Sequence, residues 1–156
     1  MISDFKERNK NRVTEEMVEK YLDIRQMPFI RYGLDNLDMD FDTYPMYKVS
    51  SFVRSAPDYI AFIGSDKTPI FVEAKGFKGD VKVKLRDLKN YSMWNSHMHF
   101  EFVFYNTENR SYCQISLNDL LNVIKHNNAE IDHYRESENN KFYIIKTSWL
   151  PDFSNL

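Results

Sequence analysis

The sequence predicts an α/β domain in which a mixed central β-sheet is flanked by helices. Helical and strand-like hydrophobic patterns alternate along the chain, in the coarse order α-β-β-β-α-β-α-β. Two strand-like segments, 59–63 and 70–75, are separated by a short stretch of turn-forming residues and therefore predict a β-hairpin. A chain of 156 residues suits a single domain that covers residues 1–156.

Composition and charge exclude several classes of protein. Hydrophobic residues make up 42% and charged residues 28%, which is the usual mixture for a globular protein. The single cysteine, Cys113, excludes an internal disulfide and a cysteine-based zinc cluster, and it fits a reducing, cytoplasmic compartment. No apolar run follows Met1, and no stretch approaches the ~20 apolar residues that cross a bilayer. We therefore expect an intracellular protein without a secretory signal or a membrane span.

The first amphipathic pattern predicts a helix that begins near Thr14 and ends before Pro28. Thr14 is a candidate N-cap, and Glu15 follows it in the first turn, where acidic side chains favour the helix dipole. Apolar residues then recur at helical spacing: Met17, Val18, Tyr21, Leu22 and Ile24. The polar residues 3–12 predict a frayed or loosely helical start.

The segment between this helix and the hairpin has weaker patterns. Residues 29–32 predict a short strand, residues 33–46 a loop, and residues 46–54 a strand that leads into the hairpin. An acidic triplet in the loop, Asp38, Asp40 and Asp42, has the spacing of a calcium-binding loop. The glycine that such a loop requires is absent and Val49 stands at its closing position, so a solvated acidic loop is favoured.

The second half of the chain continues the alternation of helices and strands. Its patterns predict a helix over 83–94, a buried strand over 100–105, a helix over 116–125 capped by Ser116, an exposed acidic loop over 126–140, and a final strand within 141–149. We expect the first helix on one side of the sheet and the 83–94 helix on the other.

Three ionisable residues lie on the two strands of the predicted hairpin. Asp58 follows Pro57 at the start of the first strand, while Glu73 and Lys75 are two residues apart on the second and so point to one face. One interpretation is that Glu73 and Lys75 pair with each other or reach solvent at the strand end, because unpaired buried charges are costly. The other interpretation is an active site, since the hairpin brings two carboxylates close together.

Two adjacent carboxylates are suited to a hard divalent cation, Mg²⁺ or Mn²⁺. Asp58 and Glu73 are the candidate metal ligands, with the Ala74 backbone carbonyl as a third. A cation there would polarise a phosphate and help to generate the attacking hydroxide from water, while Lys75 orients that water or neutralises developing charge.

A local excess of positive charge follows the hairpin. The chain as a whole has a formal net charge of −2, so binding to nucleic acid would depend on the distribution of charge and not on its sum. The candidate contacts to a phosphate backbone are Lys78, Lys82, Lys84, Arg86 and Lys89.

Pro57-Asp58 followed by Glu73-Ala74-Lys75 resembles the motif of the PD-(D/E)xK nuclease superfamily. The apolar residues Phe71 and Val72 before Glu73, and Gly76 after Lys75, are also typical of it. Over residues 14–76 the chain is most similar to the small phage junction-resolving endonucleases of the endonuclease I type. The resemblance implies a restriction-endonuclease-like αβββαβ core and a Mg²⁺-dependent endonuclease that hydrolyses phosphodiester bonds in DNA, including branched DNA and Holliday junctions.

The resemblance also implies a further acid on the first helix. Glu15 is the favoured candidate, with Glu16 and Glu19 as substitutes, and the alternative is that all three lie on a solvated helix face. Symmetric cutting of a junction needs two active sites, so junction resolution implies a homodimer. Two other functions stay open: a restriction-like, repair or nicking nuclease, or a non-catalytic nucleic-acid-binding or anti-defence protein in which the three charges form a salt-bridge cluster.

Overall fold

The structure, a computed structural model, describes residues 2–33 and 50–156, with the side chains of these residues except 2–10 and Glu138. The helices in this part are α1 (Ile2–Ile24), α2 (Ser51–Arg54), α3 (Leu85–Asn95) and α4 (Leu117–His126), and a 3-10 turn covers Thr147–Trp149. The strands are β1 (Phe29–Arg31), β2 (Tyr59–Ile63), β3 (Thr68–Phe77), β4 (Val81–Lys84), β5 (Phe100–Asn106), β6 (Ser111–Ser116), β7 (Ile131–Tyr134), β8 (Ser137–Ile145) and β9 (Ser154–Asn155). Of the described helices, none is long and apolar enough to cross a membrane.

The described strands form two sheets. The central sheet has the strand order β1-β2-β3-β5-β6-β9, in which β3 and β5 are parallel and the other neighbours are antiparallel. The second sheet is antiparallel, in the order β4-β8-β7. Parallel strands need a crossover connection, and here β4 and α3 supply it between β3 and β5. The central sheet is therefore mixed, as the sequence predicts.

Each face of the central sheet is covered by a different set of helices. On one face, Val18 and Leu22 of α1 pack against Val72 of β3, and all three are fully buried. On the other face, α3 and α4 pack against a cluster of aromatic side chains that includes Phe102 of β5. The predicted arrangement, with the first helix on one side of the sheet and the α3 segment on the other, is confirmed.

The predicted hairpin is present with the expected strands. Tyr59 pairs with Val72 and Ile63 pairs with Thr68, so β2 and β3 are joined by a turn over residues 64–67. Gly64 has a φ of 72° in this turn, a conformation that costs glycine little. The strand β1 confirms the prediction of a short strand over 29–32.

The first helix begins earlier than predicted, and Thr14 is not its N-cap. The helix α1 runs from Ile2, so Thr14 lies inside it. The Thr14 side chain is buried against β3 at Gly76, where a Cβ atom would clash with the Thr14 hydroxyl. Thr14 therefore does not cap the helix; its side chain makes a close contact between α1 and β3.

The predicted strand over 46–54 is wrong in its described part. Residues 51–54 form α2, and the Ser50 hydroxyl caps this helix by accepting a hydrogen bond of 3.3 Å from the Val53 N–H. The rest of that prediction, most of the predicted loop over 33–46 and the acidic triplet all lie outside the described residues.

Two predictions in the second half need correction. The helix predicted over 83–94 begins at Leu85, because Val81 and Val83 are buried on one face of β4 while Lys82 on the other face is exposed. The loop predicted over 126–140 contains β7 and the start of β8. Every residue of β7 is exposed, so this edge strand shows no hydrophobic alternation that sequence patterns would reveal.

The remaining predicted elements are present. The strand β5 covers the predicted 100–105 segment, and α4 begins after Ser116, whose hydroxyl accepts a hydrogen bond of 3.1 Å from the Asp119 N–H. The predicted final strand forms the end of β8, whereas β6 and β9 were not predicted.

Candidate active site

Asp58 and Glu73, here called the acidic pair, lie opposite each other on neighbouring strands. Because Tyr59 pairs with Val72, the residue before Tyr59 faces the residue after Val72. Asp58 Oδ2 accepts a hydrogen bond of 2.8 Å from the Ala74 N–H, which holds this carboxylate over β3. The hairpin thus brings the two predicted carboxylates together on the face of the sheet that α3 covers.

The Glu73 carboxylate is buried, and its two oxygens have different surroundings. Oε1 accepts a hydrogen bond of 2.8 Å from the Tyr91 hydroxyl and one of 3.2 Å from Lys75 Nζ. Oε2 is buried and has no hydrogen-bond partner among the described residues. A buried carboxylate oxygen without a partner is costly, so Oε2 lacks the donor or positive group that would stabilise it.

The electrostatics of the acidic pair are unfavourable without a cation. Burial raises the pKa of Asp58 well above its ordinary value of 3.8, and the neighbouring charge of Glu73 raises it further. The Ala74 N–H and the ammonium of Lys75 act in the opposite direction but do not compensate. Two carboxylates that repel each other in a buried site are the arrangement that a divalent cation relieves.

Lys75 stays cationic beside this pair. Burial lowers the pKa of Lys75, but Tyr91 and Glu73 together outweigh that effect and leave the pKa well above its ordinary value. Its side chain is 24% exposed, and Nζ lies 5.4 Å from the centroid of the Tyr91 ring. The ammonium can therefore reach a bound substrate from a fixed position.

The backbone carbonyl of Ala74 is directed toward the edge where β2 begins. The Phe71 N–H bonds the His99 carbonyl on the β5 side, so alternate residues of β3, including Ala74, direct their backbone groups to the β2 side. A continued ladder would pair Ala74 with Pro57, which has no N–H to donate. Pro57 therefore cannot donate a backbone hydrogen bond to the Ala74 carbonyl, as another residue at this position would.

The donor set fits a hard divalent cation. It consists of the carboxylates of Asp58 and Glu73 and the carbonyl of Ala74, all oxygen atoms, and Mg²⁺ keeps several waters in such sites. In residues 2–33 and 50–156, no group of three or more His, Cys, Asp or Glu side chains is placed to hold a metal ion. A cation here would therefore rest on two side chains and one backbone oxygen.

Of the three acids considered on α1, Glu15 is the one that lines a cleft with the acidic pair. It is half-buried, lines the same cleft as the acidic pair, and its charge contributes to the raised pKa of Asp58. Glu16 is exposed and pairs with Arg12 at 3.4 Å. Glu19 accepts hydrogen bonds from Arg31 at 2.7 and 3.0 Å, so it already has a structural partner on β1.

Two clefts meet at the acidic pair. The lysine cleft, of about 520 Å³, is lined on one side by Lys78, Lys82 and Lys84. The arginine cleft, of about 280 Å³, is lined by Arg54 of α2 and Arg86 of α3. Both clefts are lined by the acidic pair, Lys75 and Asp87, so they adjoin there.

The structure brings four of the five predicted phosphate contacts to these clefts. Lys89 is exposed on α3 and lines neither of them. Sequence patterns missed Tyr91 and Arg54 as site residues. Tyr91 has the spacing of a core position on α3, and Arg54 stands in a segment predicted as a strand, so neither carried a signal of its role.

The overall structure is similar to two solved nucleases. Archaeoglobus fulgidus Hjc, a Holliday junction resolvase from an archaeal hyperthermophile, matches with a TM-score of 0.54 and 13% identity over 94% of this chain and 92% of that chain. D212, a nuclease from a fusselovirus, matches with a TM-score of 0.50 and 12% identity over 96% of this chain and 84% of that chain. No family model matches the chain, and no curated protein matches it in sequence. The likeness shows a shared fold, and the predicted fold class is confirmed.

Proposed function

We propose that this protein is a Mg²⁺- or Mn²⁺-dependent endonuclease that hydrolyses phosphodiester bonds in DNA. The observation that carries the proposal is the buried, unpartnered Oε2 of Glu73 beside Asp58. A protein that used these residues only for stability would gain by pairing or replacing them, because buried like charges destabilise the fold. The fold shared with two nucleases agrees with this function.

Each residue of the site has a distinct role in the proposed reaction. Asp58, Glu73 and the Ala74 carbonyl would hold the cation, which when bound supplies Lewis-acid polarisation of a phosphate oxygen and helps to deprotonate the attacking water. Lys75 neutralises negative charge that develops on the phosphate in the transition state. Glu15 supports the site from α1 by its position in the lysine cleft.

The proposal places the chain in the PD-(D/E)xK superfamily, with Pro57-Asp58 and Glu73-Ala74-Lys75 as the motif. Four-way junctions are the substrate to test first, because Archaeoglobus fulgidus Hjc, which has a similar fold, is a Holliday junction resolvase. The phosphate-binding surface consists of the cations of the two clefts, which supply affinity that is independent of sequence.

A cleavage panel tests this function directly. Single-stranded, duplex, flapped and four-way DNA, together with an RNA duplex, would be incubated with the protein in Mg²⁺, Mn²⁺ or EDTA. Cleavage of DNA is expected with either metal and not in EDTA. Glu73→Gln should abolish both Mn²⁺ binding by calorimetry and cleavage, because it removes a charged ligand.

Lys75→Met separates the chemistry from metal binding. This variant should still bind Mn²⁺ and DNA but lose about 10²–10³-fold in turnover, because the ammonium acts in the transition state. Lys89→Gln is the matched control, since Lys89 lines neither cleft, and it should cleave at the wild-type rate. Equal calorimetric heats for wild type and Glu73→Gln would rule out the metal site and favour a salt-bridge cluster in a non-catalytic protein.

A further inference from the structure

The arginine cleft contains a cation that the sequence motif does not include. Arg54 lies at the end of α2 and lines the cleft together with the acidic pair. The lysine cleft adjoins on the other side of the same carboxylates, and its cations come from β3–β4. A nucleic-acid strand that passes over the acidic pair would therefore have positive side chains on both sides of the reacting phosphate.

The short helix α2 is firmly attached to α3. Trp94 Nε1 donates a hydrogen bond of 3.1 Å to the Phe52 carbonyl, and the Phe52 and Trp94 rings stack with centroids 4.4 Å apart. Asn90, which is buried, donates a hydrogen bond of 3.4 Å from Nδ2 to the Ser51 carbonyl. These contacts fix the backbone that carries Arg54, so a ligand would need to order only its side chain.

No described residue forms an ion pair with Arg54. By contrast, Arg86 pairs with Asp87 at 3.5 Å and Lys78 pairs with Glu108 at 3.9 Å. A guanidinium group binds a phosphate with two parallel hydrogen bonds, which an ammonium cannot do. Arg54 is thus an available phosphate ligand in the arginine cleft.

On the opposite side, two lysines face the acidic pair from one strand. Lys82 and Lys84 are two residues apart on β4 and so share a face. Lys82 Nζ lies 5.1 Å from the centroid of the Phe142 ring, and Lys84 Nζ lies 5.5 Å from that of Tyr134. Aromatic rings attract these cations without neutralising their charge, so the ammonium groups keep their affinity for phosphate.

We infer that Arg54 binds a backbone phosphate of the substrate strand on the side of the acidic pair opposite to Lys82 and Lys84. The inference rests on the proposed nuclease function and deepens it, because it specifies how the strand lies. The strand crosses the carboxylates and is held on both sides of the bond that is cut. The substrate is accordingly a strand that continues in both directions, and a free end is not required.

A scan with neutral linkages tests the position of Arg54. Single methylphosphonate linkages, which remove one phosphate charge, would be placed at each position along one strand of a four-way DNA, whose branch point fixes the register of binding. Binding would be measured in EDTA by fluorescence anisotropy, so that no strand is cut. In wild type, a neutral linkage opposite Arg54 should weaken binding about tenfold.

The variants identify which residue contacts which phosphate. In Arg54→Gln, the neutral linkage opposite residue 54 should cause no further loss of DNA affinity. Linkages on the side of Lys82 and Lys84 should still weaken binding as they do in wild type. Lys84→Gln should show the reverse pattern, and Lys89→Gln should behave as wild type at every position. Arg54 is exposed, and thermal melting of Arg54→Gln at the wild-type temperature would show that the fold is intact.

Two results would overturn the inference. One is an Arg54→Gln variant that is as sensitive as wild type to every neutral linkage. The other is loss of sensitivity on the same side for Arg54→Gln and Lys84→Gln. Failure of the wild type to cleave any DNA with Mg²⁺ or Mn²⁺ would contradict the proposed function alone, because the binding scan in EDTA does not depend on cleavage.

Discussion

The Tyr91 hydroxyl donates a hydrogen bond of 2.8 Å to Oε1 of Glu73, and through this bond α3 fixes the orientation of a carboxylate on β3. Lys75 bonds the same oxygen from the same strand. Because both donors use Oε1, the other oxygen of Glu73 is the one left without a partner. The crossover helix therefore decides which oxygen of Glu73 would be left for the proposed cation.

Tyr91→Phe tests this positioning role. The substitution keeps the ring and removes the donor, so the unfolding free energy should fall by about 1–2 kcal/mol. Mn²⁺ affinity should fall about tenfold, because the carboxylate is less firmly oriented. Calorimetry with Mn²⁺ and urea denaturation measure the two effects.

Tyr112→Phe is the matched control for that variant. Tyr112 is buried on the α1 face of the sheet, and its hydroxyl has no hydrogen-bond partner among the described residues. Removal of this hydroxyl should leave Mn²⁺ affinity unchanged and should not reduce stability. Unaltered Mn²⁺ affinity in Tyr91→Phe would show that Tyr91 has only a packing role.

Asp58→Asn should stabilise the metal-free protein while it abolishes cleavage. The amide oxygen can still accept the Ala74 N–H, and the repulsion from Glu73 is removed. In EDTA at neutral pH, we expect the melting temperature to rise by about 2–6 °C. Asp66→Asn, at an exposed carboxylate in the hairpin turn, is the control and should melt as wild type.

The stability gain of Asp58→Asn should depend on pH. Because burial and Glu73 raise the pKa of Asp58, the folded chain binds this proton more tightly than the unfolded chain. Wild-type stability therefore falls as the pH rises from the ordinary value of 3.8 through the folded-state pKa. The gain should be present at neutral pH and should disappear toward pH 3.8 in melting experiments. A gain that is equal at both ends of this range would contradict repulsion as its cause.

Gly76→Ala should destabilise the protein by steric conflict with Thr14. A Cβ atom at residue 76 would clash with the Thr14 hydroxyl and lie 3.3 Å from both Cβ and Cγ2 of Thr14. We expect a loss of about 1–3 kcal/mol in urea denaturation, as for overpacked cores. Adding Thr14→Ala removes two of the three contacting atoms and should restore part of that loss, so additive effects would argue against this contact.

If the protein resolves junctions, it should form a two-fold homodimer. One chain presents one acidic pair, and symmetric cutting of both strands needs two. Exposed apolar residues on α1, Val13 at 54% and Ile24 at 61%, are candidates for the interface. Light scattering at micromolar concentration should give a dimer with four-way DNA present, and Ile24→Glu should weaken it without loss of Mn²⁺ binding. A monomer under all conditions that still cuts linear duplex would exclude junction resolution.

The part of the site that was predictable from sequence is local in the chain. Asp58, Glu73 and Lys75 belong to one hairpin, and strand alternation alone places the last two on one face. Ser116 capped its helix as predicted because a cap depends on residues within one turn. Such features need no knowledge of distant partners.

The parts that were missed depend on distant contacts. Arg54 lies at its cleft because Phe52 stacks on Trp94, far along the chain, and no local pattern records that pairing. Tyr91 has the spacing of an ordinary core residue of an amphipathic helix, and only its hydrogen bond to Glu73 on β3 reveals its place in the site. The strand β7 has the sequence pattern of a loop, because all its side chains are exposed and only its pairing with β8 defines it.

The crossover between β3 and β5 has a consequence for the order in which the protein folds. The hairpin that carries the acidic pair closes over a few residues, which takes about 1–10 μs, whereas the parallel pairing with β5 must wait for β4 and α3. We therefore expect the two carboxylates to meet before Tyr91 is in place to orient them. A divalent cation captured by the early hairpin would lower the barrier to folding, so that the refolding rate, and not only the unfolding rate, would respond to the metal.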